Sequence, residues 1–327
     1  MRVRWQEKSL NMLTEIKRAS PTLYVYWTIT DNCNFDCSYC PSRLHDGDFA
    51  KGKKPGYPSD SEIRTFLDRL IHKHTRGRFL QLCLSGGEPT IHPMYAEIVS
   101  AVKPHGIIET ITNGSRPLNW WKNLPALPDK VTMSLHPGFT NIEKINALGE
   151  YLLDNDCDVT FNMMCDPEQW DEVQALYNML TDRLKLQVNG KILTDHSGTI
   201  TDGQPYAYSV DQIDYISSMK FSGVGVKRRF DNIDRRVYFI ENGVEHIMTH
   251  PFDLVNTGRN NMQGWKCSAG NEGIAINFDG FAYIGNCRIG KLGRIDTFDL
   301  LSEDVTCPRK YCKTAADLQL TKRKENI

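Results

Sequence analysis

Six short runs rich in β-branched and aromatic residues recur along the first two thirds of the chain, each followed by a helix pattern, and this alternation narrows the fold more than any other feature. The runs are Leu23–Thr30, Phe79–Ser85, Ile107–Thr112, Lys130–Leu135, Asp158–Met164 and Leu184–Val188. Strands separated by helices pair in parallel, because each crossover covers the sheet before the chain returns to it. The helix starts are well marked. Ser59-Asp-Ser-Glu62 is a capping box ahead of Ile63, Phe66, Leu67 and Leu70. Pro93 suits a first turn before Tyr95, Ile98 and Val102, and Asn141 caps a helix reaching Leu153. Pro167 opens another with Trp170, Val173, Tyr177 and Leu180 on its inner face, and Ser209–Gln212 repeats the box. This periodicity fits an α/β unit, either a doubly wound sheet or a partial barrel.

After about Gly223 the pattern changes. Asn242-Gly243 is a two-residue hairpin signal, since both positions favour the left-handed turn, and Asp279-Gly280 between Ile274–Asn277 and Phe281–Ile284 repeats it. The expected organisation is an extension over 1–19, the α/β unit over 20–222, a connecting β-hairpin segment over 223–262, and a small β-rich module over 263–327.

The net charge of −1 gives no case for a nucleic-acid or membrane partner. Arg228-Arg229, Arg235-Arg236 and Lys322-Arg323-Lys324 read as solvated basic spots, the first two conceivably beside an anionic substrate. Met1–Lys8 lacks the apolar core of a signal peptide, and no apolar run approaches membrane-spanning length. Ten cysteines without a secretory signal point to metal or redox work in a reducing, cytoplasmic setting.

Seven of those cysteines fall into two sets. Cys33-Asn-Phe-Asp-Cys37-Ser-Tyr-Cys40 spaces three thiols as C-x3-C-x2-C directly after the first strand run. Three thiolates on one loop can hold three irons of a [4Fe–4S] cubane and leave the fourth open to a small molecule. Zinc usually asks for a fourth protein ligand. The second set, Cys267, Cys287, Cys307 and Cys312, gathers four thiols, enough for a closed [4Fe–4S] cluster or for zinc. Cys83 is expected to pack in the core as a small hydrophobe, and Cys165 at the core or rim. Trp265 is expected to shield the quartet, and Asn256–Asn261 is a polar stretch suited to a substrate mouth.

C-x3-C-x2-C with Tyr39 before its last cysteine resembles the radical S-adenosylmethionine (SAM) superfamily. Gly86-Gly87-Glu88-Pro89 after the second strand run matches that family's GGEP stretch, and Thr112-Asn113-Gly114 resembles its "TNG" turn. The resemblance implies a partial (β/α)6 barrel and a [4Fe–4S] cluster on Cys33, Cys37 and Cys40 whose open iron is chelated by SAM. It also implies reductive cleavage to a 5′-deoxyadenosyl radical and an external electron donor such as flavodoxin or ferredoxin. Gly86–Pro89 would bind the methionine amino group. Ser134 and His136 would touch ribose or carboxylate, and Asn162, with Gln187 or Asn189, would point into the lumen toward SAM or substrate. Cys267…Gly280…Cys287 resembles the SPASM/Twitch extensions, which implies one auxiliary [4Fe–4S] cluster on the quartet. The resemblance leaves the substrate open. Small polar sugar- or aminocyclitol-like molecules suit a dehydrogenation with the auxiliary cluster as electron acceptor, and a peptide is the alternative. A non-catalytic iron–sulfur electron relay would have no use for the Gly86–Pro89 site.

Overall fold

A computed structural model describes residues 13–40, 57–183, 187–195, 204–219, 233–249, 251 and 253–325. Arg228-Arg229, the Met1–Lys8 stretch and the start of the sixth strand run at Leu184 lie outside them, as does the side chain of Gln187.

The six strand runs form one parallel array in chain order: β2 (Thr22–Thr30), β3 (Phe79–Gly86), β4 (Gly106–Thr112), β5 (Lys130–Leu135), β6 (Asp158–Cys165) and β7 (Gln187–Ile192). Consecutive parallel strands require a helix on each crossover. Those helices are α1 (Asp60–Arg69), α2 (Tyr95–Val102), the short α3 (Leu118–Lys122), α4 (Ile142–Asp154) and α5 (Trp170–Arg183), and α6 (Val210–Ser218) follows β7. Both capping boxes are formed, at Ser59–Glu62 and Ser209–Gln212, and Asn141 caps α4 through Lys144 N–H.

The strand period of two divides the array into an apolar and a polar face. Leu23, Val25, Trp27, Leu80, Leu82, Leu84 and Ile108 pack against α1 and α2, and Val131, Met133, Leu135, Phe161, Met163 and Val188 against the helices that follow. The opposite, concave face carries Tyr24, Tyr26, Gln81, Ser85, Glu109, Lys130, Thr132, Ser134, Asn162, Asn189 and Lys191. This is the partial TIM-like barrel.

At the other edge the sheet is extended. β13 (Gly273–Ile276) pairs in parallel with β2, and β14 (Phe281–Ile284) and β15 (Lys291–Arg294) add antiparallel strands, making nine in all. The β13–β14 hairpin therefore continues the barrel wall. Arg78 reaches across to the Asn271 carbonyl at 2.7 Å, and Arg294 bonds Glu62 at the start of α1.

A six-stranded sheet combines distant parts of the chain. In order it runs β11 (Val244–Ile247), β10 (Val237–Glu241), β1 (Leu13–Arg18), β17 (Lys322–Arg323), β12 (Lys266–Cys267) and β16 (Val305–Thr306). Asn242 and Gly243 hold the β10–β11 turn with φ of 52° and 77°, both left-handed as the Asn-Gly signal requires. β1 is central in this sheet, with Ile16 fully buried between β10 and β17. A two-residue pair, β8 (Thr194–Asp195) and β9 (Gln204–Pro205), completes the strands of the described residues.

Candidate active site and second thiol site

Gly86 and Gly87 carry no side chain because the chain itself fills the space beside them. A Cβ on Gly86 would lie 2.2 Å from the Thr30 carbonyl oxygen, and one on Gly87 only 2.1 Å from that of Asn32. Gly87 N–H donates to Thr30 O at 2.9 Å and Glu88 N–H to Asn32 O at 2.7 Å. The Gly-Gly-Glu stretch thus fastens the residues leading into the cysteine loop onto the end of β3.

Glu88 extends this anchorage to β4. Its carboxylate accepts from Thr90 N–H (3.0 Å), Thr90 Oγ1 (2.6 Å), Thr112 Oγ1 (2.8 Å) and Asn113 N–H (2.7 Å). It is fully buried, and burial raises its pKa against these four bonds, which pull it down. A strand-end carboxylate in a loop is expected to stay outside the core; this one is locked inside it, because two strand ends converge there. Pro89 opens a one-turn 3-10 helix, Pro89–Ile91, that Glu88 caps. Gly114 takes φ +70°, and a Cβ there would meet Ile145 Cδ1 at 2.4 Å.

The three thiols of the first set sit above these strand ends. Cys33 and Cys37 are buried and Cys40 is half-buried, with a turn closed by Cys40 N–H to Cys37 O at 2.9 Å. Phe35 N–H points at Cys33 Sγ (3.4 Å), and the Asn113 amide lies 3.8 Å from it while donating to Asn34 at 2.9 Å. Burial first, then the neighbouring thiols, push Cys37 up to about 11 and Cys40 up to about 12. Such thiols ionise when a metal supplies positive charge, and N–H groups aimed at sulfur suit cluster ligation. The donor set fits an open cubane.

His136 belongs to this loop rather than to an isolated strand end. Its Nδ1 stands 2.6 Å from Tyr39 Oη and 3.3 Å from Cys37 Sγ, and its ring stacks on Tyr39. Phe35 meets the same ring edge-on and stacks on Phe139, forming an aromatic lid over Cys37. Ser134 lies lower on the concave face, in register with Asn162 of β6, which is in register with Asn189 of β7. Asn189 Nδ2 reaches Asn162 Oδ1 at 3.5 Å.

Below this row the concave wall is charged. Glu109 Oε1 accepts from Thr132 (2.9 Å) and pairs with Lys130 (3.0 Å). Lys191 is held below its usual pKa by burial and then by Lys130, with Glu109 acting the other way. Cys83 is buried, as expected of a small core hydrophobe, on the lumen side of β3 beside Tyr24 and Tyr26. Cys165 is in the helix-side core, as Cys157 is. A cavity of about 140 Å³ bordered by Gln81, Glu109, Lys130 and Asp158 opens at the strands' N-terminal ends, opposite the cysteine loop.

The second set also converges. Cys267, Cys307 and Cys312 are buried and Cys287 is half-buried. The Cys287 thiol is raised by burial, then by Asp317, Cys312 and Cys267, while Cys312 is pushed up to about 12 by burial, Lys322 opposing and Asp317, Cys267 and Cys307 adding to it. Trp265 packs in one cluster with Cys307, Cys312 and Leu318. The Asn256–Asn261 stretch pins the quartet: Asn260 donates to Cys312 O at 2.9 Å and accepts from Cys312 N–H at the same distance. Lys322 of the basic run is buried beside these thiols, not solvated. Among the described residues no three His, Cys, Asp or Glu side chains close on a single-ion site.

An α/β partial barrel with a cysteine triplet at its strand ends is the arrangement that the resemblance to the radical SAM superfamily implies. The family description "Radical SAM superfamily" matches residues 27–180, so this stretch carries a radical SAM domain. That family brings a [4Fe–4S] cluster and SAM as cofactors. Among curated relatives, the chain is 35% identical over 97 residues to the GTP 3′,8-cyclase of Pectobacterium atrosepticum, covering 28% of this chain and 27% of that protein. It is 32% identical over 111 residues to the probable GTP 3′,8-cyclase of Thermococcus kodakarensis, 33% of each. The match thus spans a third or less of these relatives. A solved structure described as "native anSMEcpe with bound AdoMet" superposes with a TM-score of 0.51 at 16% identity, over 84% of this chain and 78% of that one, which is likeness of fold.

Proposed function

We propose that this enzyme abstracts hydrogen from a small polar substrate bound against the concave wall, and that the quartet holds an auxiliary [4Fe–4S] cluster serving as electron acceptor in a net dehydrogenation. The observation that carries the substrate class is the wall itself. A sheet face lined by Ser134, Asn162, Asn189 and Lys191 offers hydrogen bonds and charge, which a sugar-like molecule satisfies and an apolar one does not.

The cluster and SAM together supply a carbon-centred radical that takes a hydrogen atom. The protein's part is placement. Cys33, Cys37 and Cys40 would hold the cluster, Glu88 and the two glycines fix the loop that carries them, and the Phe35–His136–Phe139 lid shields Cys37 from water. Gly86–Pro89, Thr112–Gly114, Ser134, His136 and Asn162 would line the SAM side. An electron relay has no need of an enzyme's substrate wall, and that alternative is set aside.

A second reading has support of its own. The names of the matched relatives suggest a nucleotide substrate, and Lys191 on the wall is a basic side chain suited to phosphate.

Reduced, anaerobically reconstituted protein should release 5′-deoxyadenosine from SAM, and deuterated sugars or nucleotides screened with it should pass deuterium into that product. No 5′-deoxyadenosine from wild type, or the same amount from the Cys33/Cys37/Cys40→Ala triple variant, would overturn the core of this reading. Deuterium arriving only from a peptide would overturn the substrate class.

A further inference from the structure

Lys322 is 1% exposed, and a buried ammonium is costly unless something nearby carries negative charge. Two of its three protons are placed: Nζ donates to the Asp317 carbonyl and to the Leu320 carbonyl, the latter at 3.2 Å. Neutral carbonyls satisfy hydrogen bonds but leave the charge itself without a full counterpart.

The sheet register says what lies opposite. Lys322 of β17 pairs directly with Cys267 of β12, and opposed residues of an antiparallel pair share a face. Gly285, next to the Cys287 turn, has room for nothing more: a Cβ there would lie 2.9 Å from Asp317 Oδ1 and 3.1 Å from Cys287 Sγ. Asp317 is itself engaged, accepting from Asn286 N–H (2.8 Å) and from Thr314 Oγ1 (2.7 Å). Lys322 and Cys267 therefore share one face of the sheet, and Asp317, whose carbonyl Lys322 bonds, borders the same Gly285 position as Cys287 Sγ.

We propose that Lys322 is the built-in counter-ion of the quartet, and that its charge raises the reduction potential of the iron–sulfur cluster bound there. This rests on the auxiliary-cluster reading above. Four thiolates around an iron–sulfur core leave net negative charge, and reduction adds one more. A fixed ammonium in a low-dielectric site stabilises the reduced state more than the oxidised one. The same charge would explain why a lysine tolerates this position at all.

The test compares full-length wild type with Lys322→Met, Lys322→Gln and Lys322→Arg, each reconstituted anaerobically. Iron and zinc are counted, and the auxiliary cluster is titrated by electron paramagnetic resonance in the Cys33/Cys37/Cys40→Ala background, where it is the single cluster. Glutamine can still donate to the two carbonyls without carrying charge, and arginine keeps the charge. Both neutral variants should make reduction at least about tenfold less favourable, a drop of 59 mV or more for a one-electron couple, with arginine near wild type. Loss of the auxiliary iron in both neutral variants but not in arginine also supports the counter-ion. Unchanged potentials in the neutral variants, or iron loss in all three, overturn it while leaving the auxiliary cluster standing. Stoichiometric zinc in wild type would instead overturn the auxiliary-cluster reading, and the Lys322 proposal with it.

Discussion

Glu88 shows how a single side chain changes role between sequence and fold. Gly-Gly-Glu-Pro at a strand end marks a ligand site, and the same Glu88 turns out to be bonded to four donors of its own chain. Glu88→Ala should therefore cost about 2–4 kcal/mol of stability, since it strands two buried N–H groups and two hydroxyls. Chemical denaturation checks this; a loss below about 1 kcal/mol would mean the site relaxes or hydrates. Weakened SAM binding is expected as a consequence, because the cysteine loop hangs on the same bonds. His74 gives a second prediction. It is fully buried against Phe298, both ring nitrogens lack partners, and burial pushes its pKa down to about 4. The unfolded chain takes up that proton near pH 6.5, so stability should rise with pH between about 4 and 6.5 and fall on acidification through that window. Denaturation midpoints at pH 5 and 7 should converge in His74→Phe relative to wild type.

At the scale of elements, strands and caps were legible because local chemistry dictates them. The Ser59–Glu62 box, the Asn242-Gly243 turn and five of the six strand starts fall within a residue of where the periodicity places them. β1 was not legible. Leu13–Arg18 has only two buried positions in six, Leu13 and Ile16, and its partners lie more than two hundred residues away. Lys322 was misread for a related reason, since a basic triplet looks solvated until the sheet that buries its first member is known. The charged wall of Glu109, Lys130 and Lys191 was equally hidden, because polar alternation on a strand usually faces solvent. Two substitutions probe these elements. Gly87→Ala forces a Cβ into the Asn32 carbonyl and should unseat the triplet loop, lowering iron by about four per chain while the quartet keeps its share. Ile16→Ala should cost about 2–5 kcal/mol, the usual range for a buried large-to-small change, read from the denaturation midpoint of the six-stranded sheet.

Across the whole molecule the two thiol sites are built differently. The triplet is local: Cys33, Cys37 and Cys40 share one loop, fastened to neighbouring strand ends by backbone bonds. The quartet is assembled from a strand, a turn and a distant loop, held in a sheet that begins with β1. Wild type reconstituted without oxygen should hold about eight irons per chain, and Cys287→Ala combined with Cys312→Ala about four, with 5′-deoxyadenosine still formed but product lost. Equal product from the double variant would remove the electron-acceptor role. The pairing of Glu15 with Arg323 also sets a timetable on the ribosome. Everything the triplet needs is synthesised before Cys267, whereas the cradle around Cys267 waits for a segment about three hundred residues after β1. The triplet's scaffold can thus close first, and a chain stalled before β17 would leave the inner edge of β1 unpaired, a strand edge open to wrong partners.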